Sequence, residues 1–103
     1  MLDPGPLSFT YTNLNVGAAS TLLIAANSKR YYLAIFNRST EQVDVTENAP
    51  AVLGAGTPIA PTASTGALPS FHEWSTHRGN LTQQPLYGIC TSGGMAITIK
   101  EGF

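Results

Sequence analysis

Short runs of alternating or continuous apolar residues recur along this 103-residue chain, separated by clusters of turn-forming residues. That rhythm predicts an all-β fold. Leu7, Phe9 and Tyr11 alternate with Ser8, Thr10 and Thr12, which predicts a half-buried strand. Thr21 to Ala26 is a second strand, closed by Asn27-Ser28. Arg30 to Asn37 (RYYLAIFN) is the strongest strand signal in the chain. It sets Tyr31, Leu33 and Ile35 on one face and Tyr32, Ala34 and Phe36 on the other, the pattern of a central strand covered on both sides. Arg38-Ser39-Thr40-Glu41 then reads as a tight turn. Gln42 to Thr46 reads as the return arm of a hairpin, with Val43 and Val45 inward and Asp44 outward.

Residues 48–70 break the rhythm. Pro50, Pro58, Pro61 and Pro69 fall among Gly54, Gly56 and Gly66, and proline denies a ladder hydrogen bond, so no central strand crosses here. A short edge strand near Thr57 to Ala60 is expected, with the remainder a long surface loop. Order resumes over Leu68 to Thr76, and Gly79-Asn80 supplies a turn. Pro85 to Thr91 and Met95 to Lys100 are expected to form a closing hairpin across Ser92-Gly93-Gly94. No stretch carries helical periodicity. The expected fold is therefore a compact antiparallel β-sandwich, jelly-roll or Greek-key-like, occupying residues 7–103 as one domain with a long Pro/Gly/Ala-rich loop. Residues 1–6 are expected to form an extended arm, since Pro4 and Pro6 pre-extend the chain around Leu2.

Composition sharpens this picture. Charged residues make up only 11% of the chain, less than half the roughly 25% usual in globular domains. The polar share comes instead from 12 Thr, 8 Ser and 6 Asn, beside 10 Gly and 7 Pro, which suit pleated surfaces and turns rather than helices. With a net charge of −1, the five basic residues Lys29, Arg30, Arg38, Arg78 and Lys100 are scattered rather than clustered. A nucleic-acid partner is not expected, because phosphate neutralisation needs a concentrated basic face. No membrane span is expected either, since no apolar run approaches the ~18 residues required. The opening residues lack the basic-then-apolar order of a signal peptide. So charge-poor a surface has little self-repulsion and suits a protein that lives packed against other protein.

Candidate chemistry is sparse. Phe71-His72-Glu73-Trp74-Ser75-Thr76-His77-Arg78 holds both histidines, the single Trp and an acid. Zinc-protease chemistry needs two His four apart on one helix face with Glu between them. Here the histidines are five apart in an extended context, which points them to opposite sides and leaves no third ligand nearby. Gly-x-Ser-x-Gly is absent. Gly54-Ala55-Gly56 leads into Thr-Pro rather than into a helix, so it is no phosphate cradle. Cys90 is the only cysteine, in an apolar run that predicts a buried, inert thiol. No enzyme activity, metal or other cofactor is expected. The aromatic residues Tyr31, Tyr32, Phe36, Phe71, Trp74 and Tyr87 exceed what so small a core can hold, so some are expected at a protein interface.

The stretch Ala25 to Ser39 (AANSKRYYLAIFNRS), with its Asn, Arg, Tyr, Leu, Ile, Asn and Ser, resembles a strand found in small virion proteins of tailed bacteriophages. The likeness extends over residues 25–47, 56–62 and 85–102, ending on a strand like MAITIKEG. It departs in the Ala/Pro/Thr segment 49–69 and in the 71–78 cluster. The resemblance implies a β-sandwich with a structural role in the virion, made in the host cytoplasm: decorating or cementing the head shell, with a neck or tail component as the alternative. The implied partners are the major capsid protein or other virion proteins, with the chain itself homo-oligomeric or lattice-bound. Leu2, Pro4, Pro6, Pro58 and Pro61 would then join Tyr31, Tyr32, Phe71, Trp74 and Tyr87 as partner contacts, with residues 1–6 and the loop 49–69 expected to make much of the contact with neighbouring subunits, and removing residues 1–6 would weaken particle binding without unfolding the domain. Two other classes stand beside this one: a carbohydrate- or receptor-binding module stacking sugars on Trp74, Tyr87 and Tyr31, and a small metal protein built on His72, Glu73 and His77.

Overall fold

A computed structural model describes residues 8–62 and 70–103. Leu2, Pro4 and Pro6, and with them the expected arm, lie outside the described residues, as do 63–69 of the long loop. Among the described residues the chain forms eight strands and no helix: β1 (Phe9–Val16), β2 (Thr21–Ile24), β3 (Tyr32–Asn37), β4 (Val43–Glu47), β5 (Thr57–Ile59), β6 (Ser70–Ser75), β7 (Leu86–Ile89) and β8 (Met95–Gly102). They build two four-stranded sheets, β1-β8-β3-β6 and β2-β7-β4-β5, all antiparallel. Within the sheets the first strand pairs with the eighth, the second with the seventh, the third with the sixth and the fourth with the fifth. That is the order of an eight-stranded jelly roll, a long antiparallel ribbon rolled until its halves close into a sandwich.

The period-two alternation of each strand supplies the core. Leu33, Ile35, Trp74, Ile97, Ile99 and Val16 from the first sheet meet Leu23, Val43, Val45, Ile59 and Leu86 from the second, with Cys90 among them. The Cys90 thiol donates to the Val16 carbonyl oxygen at 3.3 Å, the use of a small buried apolar residue that the sequence suggested. Asp44 lies on the side of β4 opposite the inward Val43 and Val45, as its position in the alternation requires, yet is buried at 5% exposure, and β5 lies at a sheet edge where Pro58 costs no ladder bond.

Both expected hairpins are instead crossings between sheets. β3 and β4 occur close to where the pattern puts them, but β3 pairs with β6 and β8 while β4 pairs with β5 and β7. The cause sits at the end of β3. Asn37 turns its side chain inward, and its Nδ2 reaches the carbonyl oxygens of Glu41 (2.7 Å), Ile59 (3.1 Å) and Ala60 (3.1 Å). Its Oδ1 accepts from the Ser39 N–H and hydroxyl. These bonds bind the corner to the far sheet rather than folding the chain back on itself. β7 and β8 likewise divide between the sheets, and Gly93 (φ 78°) and Gly94 (φ 69°) provide the left-handed turn that carries the chain across.

A second corner is held by Arg30, which is completely buried. Its guanidinium donates to Glu101 Oε2 (2.8 Å) and to the carbonyl oxygens of Ala25 (2.6 Å), Thr82 (3.1 Å) and Gln84 (3.0 Å). One side chain thus fastens the end of β8 to the chain on either side of two crossings. The long loop is not an open excursion either. Residues 48–56 fold over the outer side of the second sheet: Ala51 is buried with its N–H on Ser20 Oγ, and the Gly54 N–H donates to Asp44 Oδ2. Gly56 (φ 86°) allows this close approach, because a Cβ there would collide with the Val45 carbonyl oxygen.

Candidate interaction face

The register of the first sheet decides which side chains look outward. Phe9, Gly102, Tyr32 and Ser75 lie in one cross-strand row, and Thr10, Glu101, Leu33 and Trp74 in the next. Since Leu33 and Trp74 belong to the core, the Phe9 row faces out. Every second row follows it: Tyr11, Lys100, Ala34 and Glu73, then Asn13, Thr98, Phe36 and Phe71. The outer side of this sheet therefore carries five aromatic residues, Phe9, Tyr11, Tyr32, Phe36 and Phe71, with Tyr31 at its border.

Three of these rings are open to solvent: Phe9 is 44% exposed, Tyr11 65% and Phe71 54%. At the surface typical of an aromatic side chain, they present about 300 Å² of apolar area on one sheet, within the range of the largest exposed patch of an ordinary monomer. Phe36 and Phe71 lie with ring centres 5.3 Å apart, and Phe9 packs edge-on against Tyr31 and Tyr32 at 6.2 and 6.1 Å. Lys100 rises through the cluster, its Nζ 4.8 Å from the centre of the Phe9 ring and 5.6 Å from those of Tyr11 and Tyr32. The cation sits over ring faces that attract it, which holds the rings in place.

Polar groups tie down the β6 side. The Tyr32 hydroxyl donates to Glu73 Oε2 at 2.6 Å, and Arg78 Nε donates to Glu73 Oε1 at 3.0 Å. These two hydrogen bonds hold the Glu73 carboxyl below its usual 4.5. Burial, and then the Glu73 carboxylate, push the Tyr32 phenol up to about 12. Phenol and carboxylate therefore keep one protonation state across the neutral range. Among the described residues, the side chains around this face set Arg38, Arg78 and Lys100 against the carboxylate of Glu73, three cations to one anion. The face thus has a surplus of two positive charges on a chain whose net charge is −1.

The sequence-derived contact residues distribute unevenly. Tyr32 and Phe71 lie on the face and Tyr31 at its edge. Trp74, 7% exposed, turns inward into the core and is no surface contact. Tyr87 lies half-buried on the outer side of the second sheet, opposite Leu22 and Thr46. Pro58 and Pro61 are exposed on and just beyond β5. His72 shares the inward side of β6 with Trp74, ring centres 4.5 Å apart, whereas His77 lies exposed in the following turn. Among the described residues no three His, Cys, Asp or Glu come together as metal ligands. Phe9 and Tyr11 were missed as surface residues. In alternation they look like core, but β1 continues to Val16 and it is Leu14 and Val16 that face inward. The signal that could have found them is the excess of aromatic residues over core capacity. Comparison with family models, curated proteins and solved structures finds no match to this chain.

Proposed function

We propose that this chain is a structural protein of a tailed-phage virion, a decoration or cement protein of the head shell that docks through the outer face of its first sheet. The observation that carries this reading is the exposed aromatic face of Phe9, Tyr11 and Phe71, in which Lys100 lies over the Phe9 and Tyr11 rings and Phe71 packs against Phe36. Aromatic anchors on a pre-ordered surface bind protein with little loss of side-chain freedom. The resemblance of residues 25–39 to phage virion proteins supplies the setting. A cement protein acts by mass action: it binds the assembled lattice and not the loose subunits, so many modest contacts stabilise the shell together.

The test is a pelleting assay in which purified chain is added to particles of the encoding phage grown without it. The double variant Tyr11→Ala, Phe71→Ala removes two exposed rings and should leave the melting temperature within a few degrees of the parent. Its affinity for particles should fall at least about tenfold, as expected when interface anchors are truncated. Val52→Ala, Leu53→Ala, on the loop over the other sheet, should bind as the parent does. Parental binding by the Tyr11, Phe71 variant would overturn the assignment of this face.

A further inference from the structure

Beyond the aromatic rows the same outer face ends in a groove of about 460 Å³ lined by Asn13, Leu14, Asn15, Arg38, Ala96 and Ile97. Arg38 follows the last residue of β3, and its backbone N–H pairs with the Ala96 carbonyl oxygen, which sets its side chain on the outer side beside Asn15. The small Ala96 side chain leaves the floor of the groove low.

A relay of hydrogen bonds fixes the chemistry of this groove. Arg38 Nε lies 2.8 Å from Thr98 Oγ1, which in turn lies 2.6 Å from Asn13 Oδ1. An arginine nitrogen can only donate. The Thr98 hydroxyl therefore accepts from Arg38 and spends its own proton on Asn13. That proton selects the oxygen of the Asn13 amide as acceptor and leaves the Nδ2 amide hydrogens facing away from Thr98. The groups remaining are both terminal nitrogens of the Arg38 guanidinium and Asn13 Nδ2, with the Asn15 side-chain amide beside them; none makes a hydrogen bond among the described residues. The Arg38 nitrogens and Asn13 Nδ2 can only donate, and the Asn15 amide can turn its NH2 to the same occupant. The ion pairs among the described residues are Arg30–Glu101 and Arg78–Glu73, so no described carboxylate satisfies Arg38.

A pocket of oriented donors around a planar guanidinium fits a carboxylate, which can accept two parallel N–H bonds from the terminal nitrogens. We propose that this groove receives an aspartate or glutamate side chain of the protein on which the aromatic face docks, an inference that rests on the docking reading above. Charge complementarity selects the occupant. The surplus of two positive side-chain charges among the described residues of the face disfavours a second copy laid face to face, which would bring two surfaces of like charge together, and it favours an acidic partner surface. The rings supply the apolar contact, and the groove fixes where along the sheet the partner sits.

The particle-pelleting assay decides the matter with three variants. Arg38→Gln should weaken binding roughly thirtyfold or more, the loss expected when one partner of an interfacial charged pair is truncated. Arg38→Lys keeps the charge but loses the fork, and should remain at least about tenfold weak. Lys29→Gln removes one positive charge from an exposed turn at the opposite end of β3 from Arg38 and should bind within twofold of the parent. Melting curves confirm that each variant folds, since Arg38 also holds Thr98. Parental binding by Arg38→Gln, with the Tyr11, Phe71 variant still defective, would overturn the carboxylate pocket and leave the docking face standing. Parental binding by both would overturn both. Full recovery by Arg38→Lys would reduce the groove to unspecific charge and overturn it as a pocket. Saturable binding of an oligogalacturonide to the free protein, with shifts at the Asn13 side-chain amide and no loss of particle binding on Arg38→Gln, would reassign the groove to an acidic glycan.

Discussion

Replacing Arg30 by methionine removes the donor set that fastens one corner of the sandwich while keeping most of the side-chain volume. The guanidinium has no exposed surface, and Glu101, its ionic partner, keeps only 12%. Arg30→Met therefore leaves a nearly buried carboxylate without its cation, and the carbonyl oxygens of Ala25, Thr82 and Gln84 without a donor. Breaking a buried pair by removing one partner costs about 3–5 kcal/mol. The upper end applies if the carbonyls stay dry, the lower end if water reaches them. A domain of this size has roughly 5–15 kcal/mol in total, and each kcal/mol moves the melting temperature by about 4–8 °C. The melting temperature should fall by at least about 12 °C. Urea unfolding followed by the fluorescence of the single buried Trp74 measures the loss, with an unchanged m-value showing that both end states are preserved. Adding Glu101→Gln to Arg30→Met removes the orphaned charge and should recover about 1 kcal/mol or more relative to additivity. A loss under about 1 kcal/mol for Arg30→Met, or strict additivity of the two changes, would refute the clamp.

Two further perturbations probe the other corner and the pH response. Asn37→Asp sets a carboxylate against the carbonyl oxygens of Glu41, Ile59 and Ala60; it should destabilise more than Asn37→Ala. Its penalty should shrink on acidification, because a carboxyl with a raised folded pKa is stabilised once protonated, and melting curves at pH 7 and pH 5 check this. His72 is held below its usual 6.5 by burial first and by the Arg78 charge second, with Glu73 opposing. Between the folded value and 6.5 the unfolded chain therefore binds more protons, so stability rises with pH through that window and is lost as pH falls below about 6.5. The lowered carboxylates Glu41 and Glu73 give up their contribution only as pH approaches and passes below 4.5, so urea midpoints at pH 5.5 and pH 7 report on His72, and His72→Asn should flatten the difference.

How far the sequence reaches depends on which physical rule each feature obeys. Strand positions were legible because alternation is local: Leu33 and Ile35, Val43 and Val45, Ile97 and Ile99 all face inward as written. Edge placement of Thr57–Ile59 followed from Pro58 alone. Strand pairing was not legible, because two inward-facing apolar strands joined by five residues satisfy a hairpin and a sheet crossing equally well. What separates them is the Asn37 side chain reaching residues over twenty positions away. Residues of the Ala25–Ser39 stretch turn out to hold corners: Asn27 bonds Glu101, Arg30 is the buried clamp, and Asn37 and Ser39 close the β3 crossing. A short motif of this kind encodes how the ribbon rolls. The interaction face stayed hidden for the opposite reason. Phe9 and Tyr11 obey the alternation of a buried strand, and only their rows against Gly102 and Lys100 reveal that they point outward. Arg38 looked like a turn residue until its relay through Thr98 to Asn13 placed it over the groove.

The central claim, docking on the head shell, is tested most directly by counting this chain in purified particles, using quantitative mass spectrometry against the major capsid protein. The account predicts copies in the hundreds, in fixed proportion to the capsid subunits. A dozen copies would place the chain at the neck or tail instead, and its absence from the particle would contradict the account outright.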